Sequence, residues 1–213
     1  LHDGLARETT SINGRQVVNF SSYDYLGLNG HPDVVAAAKA AIDRYGTSVS
    51  ASRLTAGERQ IHRDLEAALA RVHNAEAAIS FVSGHATNVS VIGGLLVPED
   101  LIVTDVAIHN SVTEGAKLSG AKRIQCAHGD LEAVERALRL NRMRCRRTLI
   151  VVEGLYSMFG DIAPIAEFVE VKRRHNAYLA VDEAHSFGVY GARGLGVAEA
   201  AGVLDACDVL IGT

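Results

Sequence analysis

Short apolar runs alternate with helical stripes along the chain, and that alternation predicts an α/β domain built on a mostly parallel sheet. The β-rich apolar runs fall at 77–82, 101–104, 123–126, 148–153, 178–182 and 208–211. Helices are predicted over 33–44, 58–72, 84–96, 111–118, 131–140 and 165–175. The first of these follows Pro32 and closes at Gly46, an N-terminal proline and C-terminal glycine asymmetry typical of helix ends. The second sets Ile61, Leu65, Leu69 and Val72 on one stripe with Arg and Glu opposite. Residues before Asn19 carry little helical pattern, so 1–18 reads as an N-terminal arm, extended over 2–16, and 19–213 as one large domain. Residues 45–55 are rich in Gly, Ser and Thr and read as an ordered loop offering amides and hydroxyls.

Composition narrows the class. With 213 residues and 48% hydrophobic content the chain can bury a sizeable core. A formal charge of −4, with both signs interspersed, offers no field for nucleic acid or an anionic membrane; the basic run from Arg142 to Arg147 reads as a solvated loop. Cys126, Cys145 and Cys207 are odd in number and far apart, which fits neither a disulfide framework nor a zinc site and points to a reducing cytoplasm. No apolar run approaches the roughly 20 residues of a membrane span, and the first ten residues are too polar for a signal peptide. The chain starts without Met and stops after an apolar run that needs strands on both sides, so it is expected to be part of a longer protein.

The chemistry-bearing residues follow strands. In Ala180-Val-Asp-Glu-Ala-His-Ser-Phe-Gly188 an apolar strand delivers Asp182 to its carboxyl end, where open α/β sheets bind ligands, with His185 three residues on. A carboxylate there suits a protonated pyridine nitrogen, and a nearby His suits the ring hydroxyl; a turn-capping Asp and a packing His explain the same pair. Ser83-Gly84-His85 follows one run and opens a helix, where free N–H groups and the helix dipole would meet a phosphate, or where Ser83 merely caps. His109 follows another strand, placed to stack on a planar ring or to lie as polar surface; Ser157 sits in a loop after a third. Such motifs converging on one sheet edge resemble a cofactor site more than packing. Gly191-Ala-Arg-Gly-Leu-Gly196 lacks dinucleotide spacing, and there is no Walker A motif, no Gly-x-Ser-x-Gly elbow and no His spacing for a metal.

Across nearly the whole length these residues resemble the α-oxoamine synthases, the fold-type I family of pyridoxal 5'-phosphate (PLP) enzymes that includes serine palmitoyltransferase and aminooxononanoate synthase. The resemblance runs through Asn19-Phe-Ser-Ser-Tyr-Asp-Tyr-Leu-Gly-Leu28, Gly46-Thr-Ser-Val-Ser-Ala-Ser-Arg53, Ser83-Gly84, His109, the 153–161 run, Val181-Asp-Glu-Ala-His185 and Ile211-Gly-Thr213. It implies a fold-type I large domain lacking its C-terminal portion. It further implies phosphate binding by Gly84, His85 and Thr213, ring stacking by His109, ring-oxygen contacts from Ser157 and His185, and a ring-nitrogen contact from Asp182. Catalysis falls to His109, Asp182 and His185. In the family the threonine equivalent to Thr213 begins a Thr-x-x-Lys motif that carries the Schiff-base lysine; none of Lys39, Lys117, Lys122 or Lys172 is equivalent, so this piece is expected to be inactive by itself.

The implied reaction condenses an amino acid (serine, alanine or glycine) with an acyl thioester, on coenzyme A or an acyl carrier protein, and releases carbon dioxide to leave an aminoketone. Tyr23 stands where the family contacts the substrate carboxylate, and its aromatic character leans toward the serine palmitoyltransferase branch, though a packing role is an equal reading. A homodimer with a shared site is implied as well. Two alternatives remain: another fold-type I activity, such as an aminotransferase or aldol-type lyase, and a non-catalytic partner subunit of a heterodimer.

Overall fold

The computed structural model describes residues 2–5 and 7–213; Leu1 and Ala6 of the expected arm lie outside the described residues. It divides into two compact units, Leu1–Ala68 and Leu69–Thr213, with the boundary falling within one helix.

The N-terminal unit corrects the expected extended arm. Strands β1 (His2–Asp3), β2 (Thr9–Ile12) and β3 (Arg15–Val18) form an antiparallel sheet in that order. Ile12 pairs with Arg15, leaving Asn13 and Gly14 as a two-residue loop with φ of 51° and 76°. Both values suit a type I′ turn, whose twist matches the strands and which favours Asn-Gly. That dipeptide was the signal for a hairpin. Helix α1 (Pro32–Tyr45) is capped by His31, whose ring accepts the Asp33 N–H, and ends at Gly46, whose N–H bonds the Ile42 carbonyl at 2.8 Å. Helix α2 (Gln60–His73) starts two residues later than the stripe predicts. Arg53 explains the delay: its guanidinium bonds Glu58 at 2.6 Å and Glu66 at 2.6 Å, and Glu58 is held in extended backbone at ψ 132°.

The second unit carries the predicted parallel sheet. Its strands are β4 (Leu101–Asp105), β5 (Lys122–Cys126), β6 (Thr148–Glu153), β7 (Tyr178–Asp182) and β8 (Val209–Ile211), ordered β5-β4-β6-β7-β8 with every neighbour parallel. Helices α3 (Gly84–Leu95), α4 (Asn110–Ser119), α5 (Leu131–Asn141), α6 (Ile165–His175) and the short α7 (Val197–Ala200) connect or flank them. Strand residues alternate between two cores. Leu101, Val103, Ile150, Val152, Leu179 and Val181 pack with Val134 and Leu138 of α5 and Phe168 and Val169 of α6. Ile102, Leu149, Val151 and Ala180 pack with Ile92 of α3 and Val112 and Ala116 of α4. Burial on both faces is why these strands read as continuous apolar runs.

The run 77–82 departs from expectation. It is not a strand, and Val82 is 96% exposed. β propensity becomes a strand only through inter-strand hydrogen bonds, and no described segment offers this run a ladder. Among the described residues no helix is long and apolar enough to cross a membrane.

Candidate active site

The chain places β5 on one side of β4 and then crosses to β6 on the other. The crevice at a topological switch point of this kind, at the carboxyl ends of the strands, is where open α/β sheets hold ligands. Five of the residues singled out from sequence stand at this carboxyl edge. His109 follows β4, Ser157 follows β6, Asp182 ends β7 with His185 beyond it, and Thr213 follows β8.

Glu153 and Asp182 are register partners across β6 and β7, so two carboxylates share this edge. Asp182 is 4% exposed, and its Oδ1 accepts the Ala184 N–H at 3.0 Å while its Oδ2 accepts from Asn88 Nδ2 at 2.7 Å. Glu153, 2% exposed, accepts the His109 N–H at 2.7 Å and the Ser157 N–H at 3.1 Å, bridging the switch-point crevice. Burial pushes its carboxyl up to about 7; the Asp182 and Asp105 charges add to the rise, and the two backbone donors oppose it.

Helix α3 opens with Ser83 as N-cap, its hydroxyl accepting the Ala86 N–H at 3.1 Å, which leaves the Gly84 and His85 amides at the helix start. Gly84 lets this segment approach closely, since a Cβ there would meet the Thr213 side-chain methyl. The close approach joins the phosphate-side residues expected from sequence. Thr213 Oγ1 in turn donates to the Ala184 carbonyl at 3.3 Å. The His85 and His109 rings meet edge to face at 6.1 Å and 85°. His109 also caps α4, its Nδ1 lying 3.3 Å from the Ser111 N–H and 2.6 Å from Ser111 Oγ.

Ser157 is exposed in a loop closed by the Leu155–Ile162 bridge and by Gly160 at φ 73°. His185, half-buried, lies in the turn after β7. That turn is anchored by buried Glu183, which accepts the Val197 and Ala198 N–H groups at 3.0 and 2.8 Å and the Ser186 hydroxyl. Gly196, at φ 100°, packs against this carboxylate, while Gly191 packs against Glu199 and Gly194 against the Gly188 backbone, so each glycine of the 191–196 stretch has a packing reason. Tyr23 belongs to the N-terminal unit, where it is exposed and its ring lies 6.4 Å from that of Tyr25.

Residue-type reasoning overlooked Glu153, Asn88 and Ser111. The signal for Glu153 was the one used for Asp182, a carboxylate ending an apolar strand. Asn88 and Ser111 carry no such mark, since their importance arises only where α3 and α4 meet. Gly115 permits that meeting, because a Cβ there would lie 2.9 Å from the Asn88 carbonyl oxygen. No group of three His, Cys, Asp or Glu that could hold a metal occurs among the described residues.

Residues 15–212 match the family Aminotransferase class I and II. The chain is 41% identical over 213 residues to an 8-amino-7-oxononanoate synthase of Pelobacter propionicus, covering 100% of this chain and 54% of that protein. It is 46% identical over 202 residues to one from Anaeromyxobacter sp. strain K, covering 95% and 50%. A serine palmitoyltransferase from Sphingomonas wittichii superposes with a TM-score of 0.95 at 37% identity, covering 100% of this chain and 53% of that one. A serine palmitoyltransferase from S. paucimobilis with bound PLP and myriocin superposes with a TM-score of 0.92 at 34% identity, covering 97% and 52%. The chain thus spans about half the length of the relatives it matches. The expected fold-type I architecture is the one present, and the chain belongs to the aminotransferase class I and II family, among its α-oxoamine synthases.

Proposed function

We propose that the full-length protein is a PLP-dependent acyltransferase that condenses serine, alanine or glycine with an acyl thioester, carried on coenzyme A or an acyl carrier protein, and releases carbon dioxide to give an aminoketone. The observation that carries this reading is Asp182. It is a buried carboxylate held by an amide and a backbone N–H, with no Lys or Arg paired to it among the described residues. A charge so placed calls for a cation, and a protonated pyridine nitrogen supplies one. Three further features fit the group: the tight Gly84 cradle, the amides at the start of α3, and the Asn88 Oδ1 atom, buried without a hydrogen-bond partner. The relatives' names and the PLP-bound neighbour point the same way.

When bound, PLP supplies an electron sink for a carbanion at the amino acid α-carbon. On this reading Gly84, His85 and Thr213 hold the phosphate, His109 covers the ring face, Ser157 and His185 contact the ring oxygen, and Asp182 keeps the ring nitrogen protonated. Glu153 fixes the backbone of both His109 and Ser157. Tyr23 is assigned to the substrate carboxylate by resemblance, and residues 19–213 to the PLP-binding domain. A cytoplasmic homodimer with a shared site completes the proposal; the three cysteines are unpaired.

The test is to read the encoded sequence beyond Thr213, express the full-length protein, and record its visible absorbance with PLP before and after borohydride reduction. A lysine three residues past Thr213, covalently labelled by reduction, together with carbon dioxide release from amino acid and acyl thioester, is the expected result. Another residue there and no trapped cofactor would overturn the enzyme reading and indicate a non-catalytic subunit. Trapping without carbon dioxide release would indicate a different fold-type I activity.

A further inference from the structure

We infer that Asn88 and Ser111 are positioning residues that hold neutral His109 in the tautomer carrying its proton on Nε2, and that the Asp182 charge sets the direction of this relay. Four groups form one chain of hydrogen bonds. Asn88 Nδ2 lies 2.7 Å from Asp182 Oδ2 and 3.0 Å from Ser111 Oγ, and Ser111 Oγ lies 2.6 Å from His109 Nδ1.

The direction follows from what each atom can do. A carboxylate only accepts, so the nitrogen of the Asn88 amide, and not its oxygen, must face Asp182. That nitrogen has a second hydrogen, which goes to Ser111 Oγ. The Ser111 hydroxyl keeps one hydrogen of its own to donate, and His109 Nδ1, at 2.6 Å, is the acceptor it meets once that nitrogen is unprotonated. The Ser111 backbone N–H, which can only donate, approaches the same nitrogen at 3.3 Å. Two donors on Nδ1 leave no place for a proton there, so the neutral ring carries it on Nε2.

Burial makes the arrangement strict. Asn88 is 2% exposed and Ser111 0%, so water does not compete for the Asn88–Asp182 and Asn88–Ser111 bonds, whereas His109 at the end of the relay is exposed. Turning the Asn88 amide would set its oxygen against the carboxylate, and the present orientation is retained although it leaves Oδ1 unpartnered. Gly115 brings α3 and α4 close enough for the relay to form. The Glu153 carboxylate holds the backbone of the same histidine from the other side of the crevice. The catalytic meaning of this lock rests on the proposed roles of His109 and Asp182: His109 would present a defined donor, Nε2–H, to the reacting centre.

The experiment is nitrogen-15 NMR of the full-length apoprotein with labelled histidine, the His109 signals being assigned by their loss in His109→Asn. The expected spectrum shows Nδ1 unprotonated and Nε2 protonated. Ser111→Ala and Asn88→Leu should each shift His109 toward a mixture of tautomers, and Ser111→Thr, which keeps the hydroxyl, should restore the wild-type pattern. In the PLP-loaded enzyme Ser111→Ala should lower kcat about tenfold or more with little change in cofactor affinity, since a positioned acid–base group contributes roughly 10²-fold or above. A proton on Nδ1 in the wild type, or a tautomer unchanged in both variants, would overturn the relay. The two readings fail separately: a protein that binds no PLP but shows the Nε2–H tautomer overturns the proposed function and supports the relay, and an active enzyme with the opposite tautomer overturns the relay alone.

Discussion

Asp100 and Asp182 are both buried carboxylates of the same parallel sheet unit, at 1% and 4% exposure, and they are treated in opposite ways. Asp100, just before β4, receives Arg146 at 2.9 and 3.0 Å and Arg147 at 3.1 Å, together with the Val97 and Arg147 N–H groups. The Arg146 guanidinium, with Arg147 beside it, holds its carboxyl well below the usual carboxylate range. Asp182, at the far end of β7, receives one amide and one N–H and no cation among the described residues. Among the described residues, cations compensate Asp100 at the amino edge of the sheet and none compensates Asp182 at the carboxyl edge. A charge left uncompensated inside a fold is costly, so it persists where something else uses it.

The widest separation of the two carboxylates should come from neutralising each. In the full-length enzyme Asp182→Asn is expected to reduce activity by about 10³-fold, the scale of losing a preorganised electrostatic contact, with stability of the apoprotein equal to or above wild type. Turnover close to wild type would end the functional side of the contrast. Asp100→Asn should do the reverse, costing about 3 kcal/mol in denaturant unfolding because two guanidiniums lose their counter-charge and the donors on one of the two oxygens meet an NH2 instead, while PLP binding stays intact. Its sign in pH is that of a depressed acid: the stabilisation is present above the unfolded-state pKa and fades as pH falls through the lower folded value.

Glu153 sharpens the comparison from within the carboxyl edge. Its carboxyl is raised to about 7, so the native state binds a proton that the unfolded chain has released. Stability should therefore decline as pH rises from about 4.5 to about 7, by up to about 3 kcal/mol, and Glu153→Gln should flatten that slope. An identical slope in both proteins would show that another group is responsible.

The smallest effect is expected at His128, where the carboxyl edge does compensate its charges. Its ring bridges Asp105 and Asp161, each at 2.9 Å, tying β4 to the loop that carries Ser157. The hydrogen bond to Asp105 raises its pKa, helped by the Asp161 charge and opposed by burial. Stabilisation from a raised histidine is fully present below the unfolded value near 6.5 and is lost as pH rises through the folded one. With His128 partly exposed against a buried Asp105, the advantage of wild type over His128→Asn should be larger at pH 5.5 than at pH 9 by about 1 kcal/mol, the remainder at pH 9 reflecting the ring's contacts with Tyr156 and Phe159. Thermal melts at the two pH values measure it.

The helix at 165–175 and the strands at 148–153 and 178–182 were legible residue for residue, because apolar periodicity is a local property. The strand-end positions of His109, Ser157 and Asp182 were legible too, since a strand's carboxyl end follows from its boundary. The Asn13-Gly14 hairpin was equally local and was overlooked. Run 77–82 shows the opposite case: its residues favour a strand, but a ladder needs a neighbour that local sequence does not specify. The site network lay further out of reach. Asp182 and Asn88 are 94 residues apart and meet only because β7 and α3 pack through a shared core, and Glu153 faces Asp182 only through the β6–β7 register. The sequence by itself determined the helices and strands of the parallel-sheet unit from 101 onward and which side chains stand at the strand ends. Tertiary structure alone decided which carboxylate is neutralised and which is left charged, because burial, dielectric environment and hydrogen-bond partners are set by chain segments that the local pattern does not connect.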